Sequence, residues 1–242
     1  MSELSLDAKG YLIDLDGTLI RERHVLPDTS WLLEKTRGRF VIMSNNAEHT
    51  PVQLSRALKS MGIAVEPDRI VLAGTCAIDE IAATHPGCSI MVVGSASLNG
   101  YARSKGLKTS ATQAEIVLVA RDRGFTYSKL AAASNALFEG AKLFVAAPDL
   151  SHPGRNGRPV PETGALAAAI VACSGAAIHQ IVGKPGRALF EIGRKRLGVE
   201  FCDIVMIGDN PDTDGMGAQR LGMTFHQVRN GLVRQPLPAA AE

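Results

Sequence analysis

Two aspartates spaced two apart, in Asp14-Leu15-Asp16-Gly17-Thr18, directly follow the apolar run Tyr11-Leu12-Ile13. Carboxylates so placed can divide the work: one attacks as a nucleophile while the other, in different surroundings, carries a proton as general acid and base. An acidic turn with no chemistry is the plain alternative for this motif alone. A second acidic group, Gly208-Asp209-Asn210-Pro211-Asp212-Thr213-Asp214, follows the apolar run Ile204-Val205-Met206-Ile207. By itself it could simply cap the next helix. Taken with Asp14, it supplies several hard oxygen ligands with positions left for water and phosphate, a donor set suited to Mg²⁺. The spacing is not that of an EF-hand calcium loop. Ser44 follows Phe40-Val41-Ile42-Met43, and Lys184 follows Ile181-Val182-Gly183. A hydroxyl with neighbouring backbone N–H groups, and a point positive charge, are what the equatorial oxygens of a phosphoryl group require.

Each of these polar positions comes after a short, continuously apolar run, and helical patterns lie between the runs. Strand–helix alternation of this kind predicts an α/β fold, a parallel sheet covered by helices on both faces. In such sheets ligands bind beyond the carboxyl ends of the strands, where all four polar positions are expected to gather. Thr50-Pro51 reads as an N-cap with proline at the first helical position, and Leu54, Leu58 and Met61 then share a face until Gly62 stops the helix. Leu189, Gly193 and Leu197 recur at four-residue spacing before Gly198. Arg194-Lys195-Arg196, on the same helix, reads as a solvated face rather than an anion patch.

The interval from Ser44 to Lys184 is too long for a connection inside one compact sheet. It holds its own apolar runs at 90–93, 116–119 and 143–146, with helical patterns near 128–140 and 164–174. The expected organisation is a Rossmann-like three-layer core from residues 1–72 and 179–242, with a smaller α/β domain, 73–178, inserted between them. The tail 236–241 is expected to fray.

Composition narrows the field without naming a function. The chain has 242 residues, 45% hydrophobic and 21% charged, which excludes a wholly disordered protein. Lys and Arg number 26 against 24 Asp and Glu, and a net charge of +2 gives no electrostatic argument for a nucleic-acid or membrane-surface partner. Cys76, Cys88, Cys173 and Cys202 form no Cys-x-x-Cys pair and read as scattered reduced thiols. No basic segment followed by an apolar run opens the chain, and the small-apolar stretch 165–177 is short of a membrane span. A cytoplasmic, globular protein is expected.

The ordered motifs Asp14-Leu15-Asp16-Gly17-Thr18, Ser44-Asn45-Asn46, Gly183-Lys184-Pro185 and Gly208-Asp209-…-Asp214 resemble those of the haloacid dehalogenase (HAD) superfamily. The insertion between the second and third motifs is where that superfamily carries a type-two cap. Met43-Ser44-Asn45-Asn46, Val92-Val93-Gly94-Ser95, the 125–130 segment and the Pro148-Asp149 loop extend the resemblance to its subfamily IIA, which includes nucleotide, pyridoxal-phosphate and p-nitrophenyl phosphatases. The likeness runs to about residue 231. It implies that Asp14 is the nucleophile and Asp16 the acid/base. Asp14, the Asp16 carbonyl and Asp209 would hold Mg²⁺, supported by Asp214. Ser44, Asn45 and Lys184 would bind phosphate, and Asn46 and Asn210 join the candidate ligand-binding set.

An Asp at position 16 has its own implication. Within the superfamily, dehalogenases need no acid for a halide, and ion-pumping ATPases carry Thr there to prolong the aspartyl-phosphate. Asp16 thus implies rapid turnover, hence a phosphatase or a phosphomutase; a mutase in this superfamily usually has a smaller cap elsewhere in the chain, so a phosphatase acting on a small phosphorylated metabolite is expected. A phosphomutase and a non-catalytic phosphate binder are the alternatives, although the second should have lost Asp14, Asp16, Lys184 or Asp209. A dinucleotide-binding domain lacks its Gly-x-Gly-x-x-Gly after the first strand. Departures from the subfamily pattern, at Ala147, Glu162-Thr163 and Arg121, bear on substrate identity. Arg121, Asp122, His152, Arg155 and Arg158 are candidate specificity residues, with a solvated loop as the alternative for 151–159; Arg21 and His24 are weaker candidates at the entrance. A homodimer through the cap is what the resemblance allows.

Overall fold

The computed structural model describes residues 6–154, 157–229 and 231–233. Its strands are, in chain order, β1 (Gly10–Ile13), β2 (Ile20–Arg21), β3 (His24–Val25), β4 (Phe40–Ser44) and β5 (Ile70–Leu72). They continue with β6 (Ser89–Val93), β7 (Lys108–Thr109), β8 (Ile116–Val119), β9 (Lys142–Val145) and β10 (Ser151–Pro153). The last are β11 (Pro159–Pro161), β12 (Ile178–Ile181), β13 (Ile204–Gly208) and β14 (Thr224–Gln227). The helices are α1 (Thr29–Lys35), α2 (Pro51–Ser60), α3 (Ala73–Thr84) and α4 (Ala96–Ser104). They are followed by α5 (Tyr127–Phe138), α6 (Thr163–Ser174), α7 (Arg187–Leu197) and α8 (Met216–Arg220).

The chain divides into two compact units. The first comprises the residues up to Ser44, Ser55–Ile70 and those from Phe190 on; the second comprises Asn45–Leu54 and Val71–Leu189. Each has a sheet of its own, in the orders β14-β13-β1-β4-β5 and β12-β9-β8-β6-β7. The α/β class and the Rossmann-like core are therefore as expected from the apolar runs.

In the first sheet β1 runs parallel to both β13 and β4, with Ile13 opposite Ile207 on one side and Ile42 on the other. The chain leaves β1 in one direction for β4 and returns later on its other side as β13. That reversal is a topological switch point, and it leaves a crevice at the carboxyl ends of the three strands. Continuous apolar sequence suits strands covered on both faces, and Tyr11, Leu12, Ile13, Val41, Ile42, Met43, Met206 and Ile207 are all fully buried.

Small residues let the helices of this unit approach closely. A Cβ at Gly193 would come within 2.6 Å of Leu12, so α7 lies directly on β1. One at Gly217, on α8, would enter the ring of Phe190, with no flexible side-chain end to yield. Gly217→Ala should therefore destabilise the protein by about 1–3 kcal/mol through overpacking. An unchanged denaturant midpoint would contradict this packing. The basic run on α7 has structural partners: Arg194 pairs with Glu191 and Glu200, and Arg196 donates to the carbonyls of Asp68 and Ile70.

In the second unit, Met91, Val93, Val117, Val119, Leu143 and Val145 on one face of the sheet pack with Ala133, Ala136 and Leu137 of α5 and Ala167 and Ile170 of α6. The alanines matter here, because short side chains bring both helices close to the β-branched surface of the sheet. α2 starts where Thr50-Pro51 predicts, by a reciprocal cap in which Gln53 N–H donates to Thr50 Oγ1 and Thr50 N–H to Gln53 Oε1.

One strand differs from the expectation. The run before Lys184 is β12, paired parallel with β9 in the second sheet, not a strand of the first. The second unit accordingly takes in residues 45–54 and 179–189 as well as the interval 73–178. An apolar run shows that a strand forms but not which sheet receives it; both sheets are parallel, and β12 is a mostly exposed edge strand of the second. The tail at 236–241 lies outside the described residues.

Candidate active site

Residues just beyond the strand ends line the crevice of the first sheet. Asp14 is the residue after β1, and its N–H donates to Ile207 O at 2.8 Å, which continues the pairing with β13 by one residue. The chain then turns sharply. Gly17 N–H donates to Ile20 O, and Leu19 and Ile20 N–H both donate to Leu15 O. Asp14 is buried, and Thr18 Oγ1 lies 3.5 Å from its Oδ2. Asp16 is exposed at the outside of this turn. Ser44 is the buried last residue of β4. Asp209 follows β13, and Asn210 opens a short helical turn, Pro211–Gly215, by accepting Asp212 N–H at 2.9 Å. The turn carries Asp214 back inward, fully buried.

Asp14, Asp209 and Asp214 each present a carboxylate oxygen, and the three oxygens lie within 4.8 Å of one another. Two glycines make the room. Gly17 has φ +83°, and a Cβ on it would overlap the Asp209 carboxylate; a Cβ on Gly208 would overlap that of Asp214. Three like charges so close repel strongly, and a hard divalent cation with oxygen preference is the natural counter-charge. The donor set and the cradle therefore fit Mg²⁺.

The second unit brings together a different pair. Lys184, after β12, is buried, and its main chain is bound by the Asn45 carboxamide: Lys184 N–H donates to Asn45 Oδ1 at 2.7 Å. Asn46 is used in a turn, its Oδ1 accepting the N–H groups of Glu48 and His49.

Other expected ligand-binding residues have different places. Asp122, a substrate-binding residue in the sequence reading, is committed to the start of α5: Oδ1 accepts Gly124 N–H at 2.9 Å and Oδ2 accepts Lys129 Nζ at 2.6 Å. Its carboxylate thus closes a turn. Asn210 is likewise a cap. Arg155 lies outside the described residues. Arg158 is exposed at the start of the 151–161 hairpin's return strand, where its carbonyl accepts Gly154 N–H. Arg21 and His24 face each other across the exposed β2–β3 hairpin.

Arg121 sits in a charge cluster that the sequence did not suggest. Its Nη1 lies 3.1 Å from Glu162 and 3.6 Å from Glu48, Arg123 pairs with Glu48 at 2.9 Å, and His152 Nδ1 lies 2.6 Å from Glu162. Burial pushes the Glu162 carboxyl above the usual carboxylate range; Arg121 and His152 pull it back, and Asp149 adds to the rise. The partners come from three separate stretches of chain, so no local spacing could have announced them. The four cysteines are free thiols, Cys76 and Cys88 buried and Cys173 and Cys202 exposed. Among the described residues no helix is long and apolar enough to cross a membrane.

Known proteins give the same pattern a family. Residues 11–108 match the model for haloacid dehalogenase-like hydrolases, and residues 181–241 match a second, HAD-hydrolase-like model. The chain is 29% identical over 228 residues to an acid sugar phosphatase of Staphylococcus epidermidis, covering 93% of this chain and 87% of that one. Among solved structures, a thermostable NPPase of Geobacillus stearothermophilus is 30% identical, with 98% and 94% coverage and a TM-score of 0.84. A glycerol phosphate phosphatase of Mycobacterium tuberculosis, in complex with magnesium, is 25% identical, with 97% and 75% coverage and a TM-score of 0.85. With these matches spanning both sheets and all four motifs, the chain belongs to the haloacid dehalogenase-like hydrolases, the family whose subfamily IIA its motifs resemble.

Proposed function

We propose that the protein is a Mg²⁺-dependent phosphatase that hydrolyses a small phosphate monoester through an aspartyl-phosphate intermediate at Asp14. The convergence of the Asp14, Asp209 and Asp214 carboxylates at the switch point of the first sheet carries this reading. The substrate class is that of a nucleotide, sugar phosphate, pyridoxal phosphate or similar metabolite. Relatives described as sugar, glycerol phosphate and dihydroxyacetone phosphatases favour the sugar and polyol phosphates within it.

Asp14, the Asp16 carbonyl and Asp209 would hold the ion, with Asp214 behind them. When bound, a divalent cation neutralises charge that would otherwise keep a carboxylate away from a phosphate dianion. In the first step Asp14 attacks phosphorus with a carboxylate oxygen; the P–O bond to the leaving group breaks, and Asp16 gives that oxygen its proton. In the second, Asp16 takes a proton from a water that attacks the phosphorus, releasing inorganic phosphate and restoring Asp14. Ser44 and Lys184 would stabilise the equatorial oxygens by a hydroxyl and a positive charge. Residues 73–178 would act as the cap that reads the organic part of the substrate.

Hydrolysis of p-nitrophenyl phosphate, triose and hexose phosphates, glycerol phosphate, nucleoside monophosphates and pyridoxal 5′-phosphate tests the reading. Release of phosphate is expected with Mg²⁺, should vanish on chelation, and should return when Mg²⁺ is restored. A folded, Mg²⁺-loaded protein silent across the panel would turn the assignment to a phosphomutase or a phosphate-binding protein.

A further inference from the structure

We propose that Asn45 is a positioning residue: its carboxamide, rather than contacting phosphate, fixes the main chain at Lys184 and ties it to Asp149. The inference rests on the reading above, in which Lys184 supplies positive charge to the phosphoryl group.

A carboxamide has two N–H donors and one acceptor oxygen. Asn45 Oδ1 accepts Lys184 N–H at 2.7 Å. Asn45 Nδ2 donates to Lys184 O at 3.1 Å and to Asp149 Oδ2 at 2.8 Å. Both amide protons are therefore spent, and the side chain has no further donor for a phosphate oxygen. The surroundings are built for these contacts. A Cβ on Gly183 would lie 2.7 Å from Asn45 Oδ1 and 2.8 Å from Ala146 O, so only glycine lets the carboxamide reach the chain before Lys184. Gly183 N–H also donates to Ala146 O at 2.8 Å, carrying the β9–β12 pairing up to the same point. On the other side, Asp149 O accepts Gly164 N–H at 2.8 Å, and a Cβ on Gly164 would overlap Pro148 O. The loop after β9 is thereby held against the start of α6.

The bond to the Asp149 carboxylate is charge-assisted, and hence stronger than an amide–amide contact. Lysine places a compact charge on a flexible four-carbon stem, so its value to a phosphoryl group depends on where its root is held. Asn45 holds that root at both the N–H and the C=O.

A charge-exchange cycle separates this role from direct phosphate binding. Asn45→Asp sets a carboxylate against Asp149 and should raise KM for p-nitrophenyl phosphate, and Ki for inorganic phosphate, by about tenfold or more, with a smaller change in kcat. Asp149→Asn, the milder change, should move both in the same direction by about threefold. In Asn45→Asp/Asp149→Asn the pair is re-formed in reverse, the amide introduced at position 149 donating to the carboxylate introduced at position 45, whose other oxygen accepts Lys184 N–H, while Lys184 O loses its donor. Partial recovery is expected, an improvement of about threefold or more over Asn45→Asp alone. If Asn45 touched phosphate, the double variant would keep a carboxylate there and stay as weak as Asn45→Asp, which overturns the proposal. So would shifts in melting temperature with the phosphate constants unchanged. A second readout needs no turnover: hydrogen exchange at the Lys184 amide should quicken by about tenfold or more in Asn45→Ala. Unchanged exchange there overturns the contact itself, whereas a protein that hydrolyses nothing but shows the quickened exchange retains the contact and loses only the phosphatase reading.

Discussion

Asp14→Asn should lower phosphate release by about 10³-fold or more, because an amide cannot form the aspartyl-phosphate and nucleophile losses are of this order. The fold should survive. The two side chains have the same shape, and the backbone bond from Asp14 N–H to Ile207 O does not involve the carboxylate. Steady-state assays, circular dichroism and thermal melts with and without Mg²⁺ read these effects separately. Activity near that of the parent protein would remove Asp14 as nucleophile.

Gly17→Ala is expected to cost about 100-fold in activity at moderate Mg²⁺ and to raise the Mg²⁺ concentration needed for half-maximal rate, through loss of oriented ligands. The residue does two things at once. Its φ of +83° is a conformation that side chains rarely adopt, and its missing Cβ leaves the space taken by the Asp209 carboxylate. Gly38 separates the two effects: its φ is +79°, but nothing lies within 4 Å of its would-be Cβ. Gly38→Ala should lose about 1–2 kcal/mol of stability from the left-handed backbone and no activity. Should Gly17→Ala behave like Gly38→Ala, retaining its rate and Mg²⁺ requirement, the close approach of the first and fourth motifs would have no bearing on the chemistry. The glycine of the first motif thus does more than turn the chain.

Which runs become strands, where α2 and α7 stop, and which acidic residues end up beside a strand's carboxyl end were all legible in the residues. These are local matters. An unbroken apolar run wants burial on both faces, a Thr-Pro-x-Gln start satisfies its own N–H groups, and a glycine after a helix takes the left-handed conformation. Because Asp14, Ser44 and Asp209 lie at the ends of their runs, the parallel order of β13, β1 and β4 was enough to gather them at one edge. Asp214 needed the further turn opened by Asn210 to bring its carboxylate inward.

Matters that depend on residues far apart in the chain came from the three-dimensional structure. It assigned the run before Lys184 to the second sheet, where β12 pairs with β9 as a mostly exposed edge strand. It engaged Asp122 with Lys129 and the Gly124 N–H at the start of α5. It joined Asn45 to Asp149 and Lys184 across separations of 104 and 139 residues, and Arg121 to glutamates on either side of it in sequence. Hydrogen bonds and ion pairs of this kind are fixed by distance and angle in space, and a polar residue in a loop carries the same local signal whether it binds substrate or binds its own chain.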